Sequence, residues 1–297
     1  MTEGGPPTPD GSLTYRPRDP VDVGFATMGV KTIRHRAGVR WWTTVTPEGP
    51  AVVAFRRVGG CVRADGWGPG LDWAFTQFPA LLGADDDPTD FRPEHPVVAA
   101  LAGRFAGLRI GATGRWYEAL ATAAIGQRVV RADAGASRTR LSRHHGEPVP
   151  AGPEPTFPVP ARILTLADHD LHRLGVERSR ARVLRIAATY ADRLEALHEV
   201  PASEADTWLR RLPGVGPWTS ALTTSVAGGD ADAVPVGDLH LPRTVSYALT
   251  GTEGDDDRML EALAPFAGHR QRVVRMVKLA GPRRHRPVPF RYDISRI

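Results

Sequence analysis

Three features of the chain combine residue types and spacings that can do chemistry. The first is Leu212-Pro-Gly-Val-Gly216, too short between helical stretches to be anything but a tight hairpin. Gly214 and Gly216 permit positive φ and carry no side chain to keep another backbone at a distance. Pro217 follows, where a first helical position tolerates a missing N–H. A hairpin of this kind opens a helix with free N–H groups pointing one way, and such a nest attracts a phosphate. A plain interhelical turn is the alternative. The second feature is Trp218 at the hairpin exit, whose indole either offers a face to an electron-poor ring or locks two helices together. The third is Asp238, in Ala233-Val-Pro-Val-Gly-Asp-Leu-His-Leu-Pro-Arg243, one helix and a short loop after the hairpin. On position alone it caps a helix beginning at Leu239.

These residues need a scaffold, and the pattern of the chain supplies one. Residues 1–20 are rich in Gly and Pro and read as a loose N-terminus. Residues 21–97 read as an α+β domain with an antiparallel sheet. Its strands are expected over Thr27–His35, Val39–Thr46, Ala51–Arg57 and Cys61–Ala64, with a helix over Leu71–Leu82. Trp41 and Trp42 are adjacent, so on a strand they face opposite sides, one into a core and the other onto a helix or an interface. Residues 98–280 read as helical, starting from Pro96–Phe105, with a helix over Trp116–Arg143 interrupted at Gly126 and Gly135. A Pro-rich connection over Glu147–Pro160 follows, then helices near 164–174 and 178–197, the hairpin at 212–216, and helices near 239–249, 257–266 and 268–279. Residues 281–297 form a basic tail. Asp230 and Asp232, in Gly-Gly-Asp-Ala-Asp, read as solvated turn residues.

The 297 residues carry a net charge of +5, which favours a polyanionic partner without naming one. Only Lys31 and Lys278 among the 38 basic residues are lysines. The single cysteine, Cys61, rules out an internal disulfide and a cysteine-ligated iron–sulfur cluster. No cofactor is expected. The histidines lack Cys or Glu partners at ligand spacing and read as surface or packing residues. Without an apolar leader or a membrane-length run, an intracellular, cytoplasmic protein is expected.

The hairpin followed by Asp238 resembles the helix-hairpin-helix DNA glycosylase superfamily. Gly216-Pro-Trp-Thr-Ser-Ala221 looks most like its 3-methyladenine DNA glycosylase II branch. The resemblance covers residues 100–280, with a weaker echo before them. It implies a mainly α fold, with two helical subdomains flanking a cleft behind the α+β N-terminal domain. It also implies Asp238 as the catalytic carboxylate, stabilising the oxocarbenium-like sugar formed when an N-glycosidic bond breaks. Trp218 stands where lyase members of the superfamily carry a Schiff-base lysine, so hydrolysis by water is expected, with the indole in the base pocket. Leu212, Gly214, Val215 and Gly216 would contact the DNA backbone, and the carbonyls of Arg210, Leu212 and Val215 would hold an alkali cation. Trp116–Val130 resembles the segment that enters the minor groove, here with Gln127 and Arg128.

The chain also departs from the pattern. Arg128 replaces an apolar or small polar wedge and can equally bind a phosphate. Leu222 stands where a second pocket aromatic is common. An aromatic of the last helix is replaced by Lys278 or Met276, and His269-Arg270 stands where a Trp-Arg pair is familiar. The expected function is therefore a monomeric, monofunctional glycosylase that removes alkylated purines from double-stranded DNA. The same fold acting on oxidised or deaminated bases, and a non-catalytic hairpin DNA-binding protein, are the alternatives.

Overall fold

The computed structural model describes residues 7–105 and 107–282. The expected basic tail lies outside these from residue 283 onward, as do residues 1–6 of the expected loose N-terminus. Within that N-terminal stretch Gly11–Tyr15 forms strand β1, a correction to the loose reading. Gly and Pro dominate its composition, but Leu13 and Tyr15 alternate inward with exposed Ser12 and Thr14, which is a half-buried strand. A short helix α1 (Val23–Ala26) then takes residues that border the first expected strand, and β2 is confined to Ile33–Arg36. The strands β3 (Val39–Thr46), β4 (Gly49–Val58) and β5 (Cys61–Trp67) complete one antiparallel sheet in the order β1-β5-β4-β3-β2.

The helix α2 (Leu71–Leu81) covers one face of that sheet, where Phe78 packs edge-on against Phe55. Trp42 is buried in this core. Trp41 points to the opposite face and stacks on Trp67, at 5.8 Å between ring centroids. The adjacent tryptophans therefore split as strand geometry requires.

After α3 (Pro96–Arg104) come α4 (Trp116–Ile125) and α5 (Arg131–His145). Gly126 ends α4, as expected. Gly135 does not break α5: a side chain there would meet only the tip of Arg138, so the residue costs helix propensity and nothing else. The expected 164–174 helix is two shorter ones, α6 (Pro160–Thr165) and α7 (Asp168–Arg173). The 178–197 helix divides into α8 (Arg178–Thr189) and α9 (Ala191–Glu195), followed by a 3-10 turn over Ala196–Glu199. Then follow α10 (Ala202–Leu209), α11 (Pro217–Ala227), α12 (Leu241–Thr250), α13 (Asp256–Leu263) and α14 (Arg270–Ala280).

The helices share two cores. One joins Leu120, Leu141, Ile163, Leu171, Leu184 and Leu209, from α4 through α10. The other joins Val98, Leu101, Ile110, Val245, Leu263 and Val273, so α3 packs with α12, α13 and α14 although more than a hundred residues separate them in the chain. Between the two cores runs α11. Its Thr219, Ser220, Ala221, Thr223, Thr224, Ser225 and Ala227 are all buried. Small side chains let neighbouring helices approach closely, and the Ser225 hydroxyl receives both Gln271 Nε2 and Arg275 from α14. Beside this junction Arg272, 1% exposed, forms a bidentate pair with Asp86, which ties α14 to the loop after α2.

Candidate active site

Gly214 and Gly216 differ in conformation. Gly214 has φ +84, the left-handed region that favours glycine, and a Cβ there would lie 2.6 Å from Val183 Cγ2. Gly216 is extended, with φ −95 and ψ −177, so any residue could adopt its backbone. The expectation of positive φ therefore holds at one glycine and not at the other. A Cβ on Gly216 would meet nothing within 4 Å, so that glycine opens onto free space. Among the described residues, neither the Gly214 nor the Gly216 amide donates to an internal acceptor. Leu212 and Val215 are buried and anchor the hairpin in the first helical core. Their backbone pairs internally, Val215 N–H donating to the Leu212 carbonyl at 3.0 Å.

Asp238 lies just before α12, half-buried, and both its oxygens are used. The Oδ1 atom accepts the His240 and Leu241 N–H groups at 2.9 and 3.0 Å, closing the start of the helix. The Oδ2 atom accepts Trp218 Nε1–H at 3.1 Å. Burial alone would push this carboxyl up. The three donors outweigh it and, with Lys278 nearby, hold it below the usual carboxylate range. Asp238 is thus ionised at neutral pH, and its helix-capping contacts leave it facing the hairpin.

Trp218 is the second residue of α11, after Pro217, and the far edge of its indole reaches Gly126 at the end of α4. It therefore bridges the two helical units and fixes the side chain of Asp238. The position after Gly126 is occupied too: Gln127 Nε2 donates to the Gly214 carbonyl and to Thr219 Oγ1, both at 2.9 Å. Gln127 holds the hairpin in place. Its neighbour Arg128 is exposed, with φ +53, a conformation uncommon for a residue with a side chain.

Other expected positions fall differently. Met276 is buried in the second helical core, which leaves Lys278 as the α14 residue within the field of Asp238. Asp232 and Asp230 are not solvated turn residues. Asp232 takes a bidentate grip from Arg270, and desolvation raises the carboxyl of Asp230. The missed partner was Arg270, whose distance of 38 positions gives no local signal. Two neighbours that the sequence did not single out complete the surroundings: Thr219 beside Gln127, and Leu239, 79% exposed next to Asp238. Leu239, expected as the first residue of a helix, instead precedes α12, which starts at Leu241. Among the described residues no His, Cys, Asp and Glu group is arranged to hold a metal ion, and no helix is long and apolar enough to cross a membrane.

No family model matches the chain. It is 32% identical over 169 residues to a probable bifunctional transcriptional activator/DNA repair enzyme AlkA of Mycobacterium tuberculosis, a match covering 54% of this chain and 34% of that relative. The match thus spans about a third of the relative's length. In three dimensions the chain is similar to a 3-methyladenine DNA glycosylase from Archaeoglobus fulgidus, with a TM-score of 0.73 at 20% identity, covering 89% of this chain and 97% of that one. It is also similar to an 8-oxoguanine glycosylase/lyase from Clostridium acetobutylicum, with a TM-score of 0.71 at 14% identity over 90% and 95% of the two chains. The mainly helical architecture, the α+β N-terminal sheet and the sequence shared with the first relative agree. By these the chain has the fold of the helix-hairpin-helix DNA glycosylases, and over 169 residues its sequence is similar to AlkA.

Proposed function

We propose that the protein is a DNA glycosylase that hydrolyses the N-glycosidic bond of an alkylated purine, such as 3-methyladenine, flipped out of double-stranded DNA. The observation that carries this reading is the ionised Asp238, held by three N–H donors opposite the hairpin. Departure of the base leaves positive charge on the sugar, and a fixed carboxylate stabilises it without reorganising. An alkylated purine is already cationic and leaves readily, so one carboxylate suffices. Water is the nucleophile, because Trp218 supplies no amine for an imine. The free amides at Gly214 and Gly216 take a backbone phosphate, and exposed Arg128 adds charge at the groove. The neutral carbonyls of Arg210, Leu212 and Val215, with no carboxylate among them, suit a monovalent cation that would add positive charge beside that phosphate. The protein acts as a monomer.

The test is Asp238→Asn, which keeps shape and removes charge. A unit charge about 4 Å from the developing cation contributes about 4 kcal/mol at an effective dielectric of about 20. Its loss corresponds to about a thousandfold in rate. Single-turnover excision from duplexes each bearing one lesion should fall by that factor on the preferred base, while affinity for the same duplex stays equal or tightens. Borohydride should trap no protein–DNA adduct. Excision within about tenfold of the wild type would reduce Asp238 to a helix cap.

A further inference from the structure

A charged cavity that none of the candidate site residues lines lies where β2 and β3 face α5. Lys31, Arg34 and Arg138 line it with a single carboxylate, Glu154, and the hydroxyl-bearing Thr43 and Ser142. Glu154 is already committed: it pairs with Arg34 at 2.7 Å and accepts the Thr139 hydroxyl at 3.2 Å. Lys31 and Arg138 make no salt bridge among the described residues. The Nε of Arg138 is enclosed and has no hydrogen-bond partner there either. Burial, then the neighbouring Arg138 and Arg131, push the Lys31 ammonium down to about 8. Burial, then Arg34 and Arg131, push Arg138 down to about 10 against a smaller raising effect of Glu154.

Two partly desolvated cations held against each other, with an idle donor between protein walls, are costly unless an anion completes them. The missing charge matches one tetrahedral oxyanion, which a guanidinium meets with directed N–H groups and an ammonium as a point charge. We infer that this cavity binds a phosphate group, with Lys31 and Arg138 as its charge partners and Thr43 and Ser142 as neutral donors. The phosphate comes either from solution or from a DNA strand. The cations do continue toward the candidate active site, since Lys31 also feels Lys278, which in turn acts on Asp238. The inference stands whether or not the protein excises bases.

Wild type, Lys31→Met and Lys31→Arg are melted in inorganic phosphate and in chloride of equal ionic strength. Each is also titrated with an undamaged duplex at several salt concentrations. Without phosphate, Lys31→Met should melt at or above wild type, because an unpaired, desolvated cation is gone. With phosphate, the wild-type melt should rise to a plateau, and Lys31→Met should need at least about tenfold more anion, the loss expected for one charge-assisted hydrogen bond. Lys31→Arg should restore the response. A phosphate effect on the wild-type melt that Lys31→Met weakens identifies the free anion as ligand. A drop of about one in the salt slope of duplex binding by Lys31→Met identifies a DNA phosphate. Coincident phosphate and chloride melts of the wild type, with an unchanged salt slope in Lys31→Met, would overturn the inference. So would a phosphate response in Lys31→Met equal to that of wild type, with its salt slope again unchanged.

Discussion

Asp238 and Trp218 act as a pair, and this separates a positioning role for the indole from a stacking role. Trp218 Nε1–H is one of three donors that lower the Asp238 carboxyl. Trp218→Phe keeps an aromatic face but removes that donor. In the proposed reaction Asp238 must be ionised to stabilise the sugar cation, so losing a donor would raise its pKa and move the acid limb of the excision profile to higher pH. Near neutral pH Asp238 is ionised with or without this donor, so a fall there, expected at about tenfold, reports lost positioning of the carboxylate and not lost charge. Excision rate against pH, with binding measured alongside, checks it. A profile with an unmoved acid limb and only weakened binding would make the indole a stacking platform alone.

At the scale of the element, the two hairpin glycines should respond oppositely to the same substitution. Gly216 is extended and its Cβ direction is open, so Gly216→Val should leave stability within about 0.5 kcal/mol. It should nevertheless weaken binding to any duplex, because the new side chain occupies the space where a phosphate would approach. Gly214→Val combines a positive φ with contact on Val183, and should cost about 2–4 kcal/mol from strain and overpacking. Thermal melts and duplex titrations of both variants check this. Wild-type affinity in Gly216→Val would show that the hairpin is only a turn. Gln127, bonded to the Gly214 carbonyl and Thr219, belongs to the same element, so its loss should loosen the hairpin before it affects a groove.

For the whole molecule, the joint between sheet and helices carries a pH signature. Glu118 of α4 is buried, and its carboxylate oxygens accept the hydroxyls of Thr32 and Thr44 at 2.9 and 3.1 Å. Burial raises it to about 7, against the lowering effect of those hydroxyls and of Arg115, with Glu195 adding a smaller upward push. The folded state therefore binds this proton more tightly than the unfolded chain does. The stability this provides is complete below the ordinary value of 4.5 and is lost as pH rises through about 7. Melting temperature should accordingly decline across that window more steeply in wild type than in Glu118→Gln, which cannot titrate. Equal slopes in the two proteins would show that other groups govern the decline.

Much of this was legible in the chain because the signals are local. The Pro-Gly-Val-Gly turn, the proline that opens α11, the alternation behind the central strands and the split of Trp41 from Trp42 depend on neighbours a few residues apart. The Asp238 helix start was readable for the same reason. Local composition misled at β1, where Gly and Pro outweighed a short alternation that becomes a strand only beside β5, and again at Gly135 and at the Asp230–Asp232 loop. What the sequence could not decide are the meetings of distant residues. Asp232 with Arg270, Asp86 with Arg272, Gln127 with the hairpin and Trp218 with Asp238 are set by how α11 packs between two helical cores. None of these pairs has a period or a motif. Their energies come from burial and from donor geometry, which exist only after the helices have docked. The proposed chemistry of the site was therefore written in residue types along the chain, while the lowered pKa of Asp238 despite its burial, the anchoring of Gln127 and the cationic cavity around Lys31 were decided by the tertiary fold.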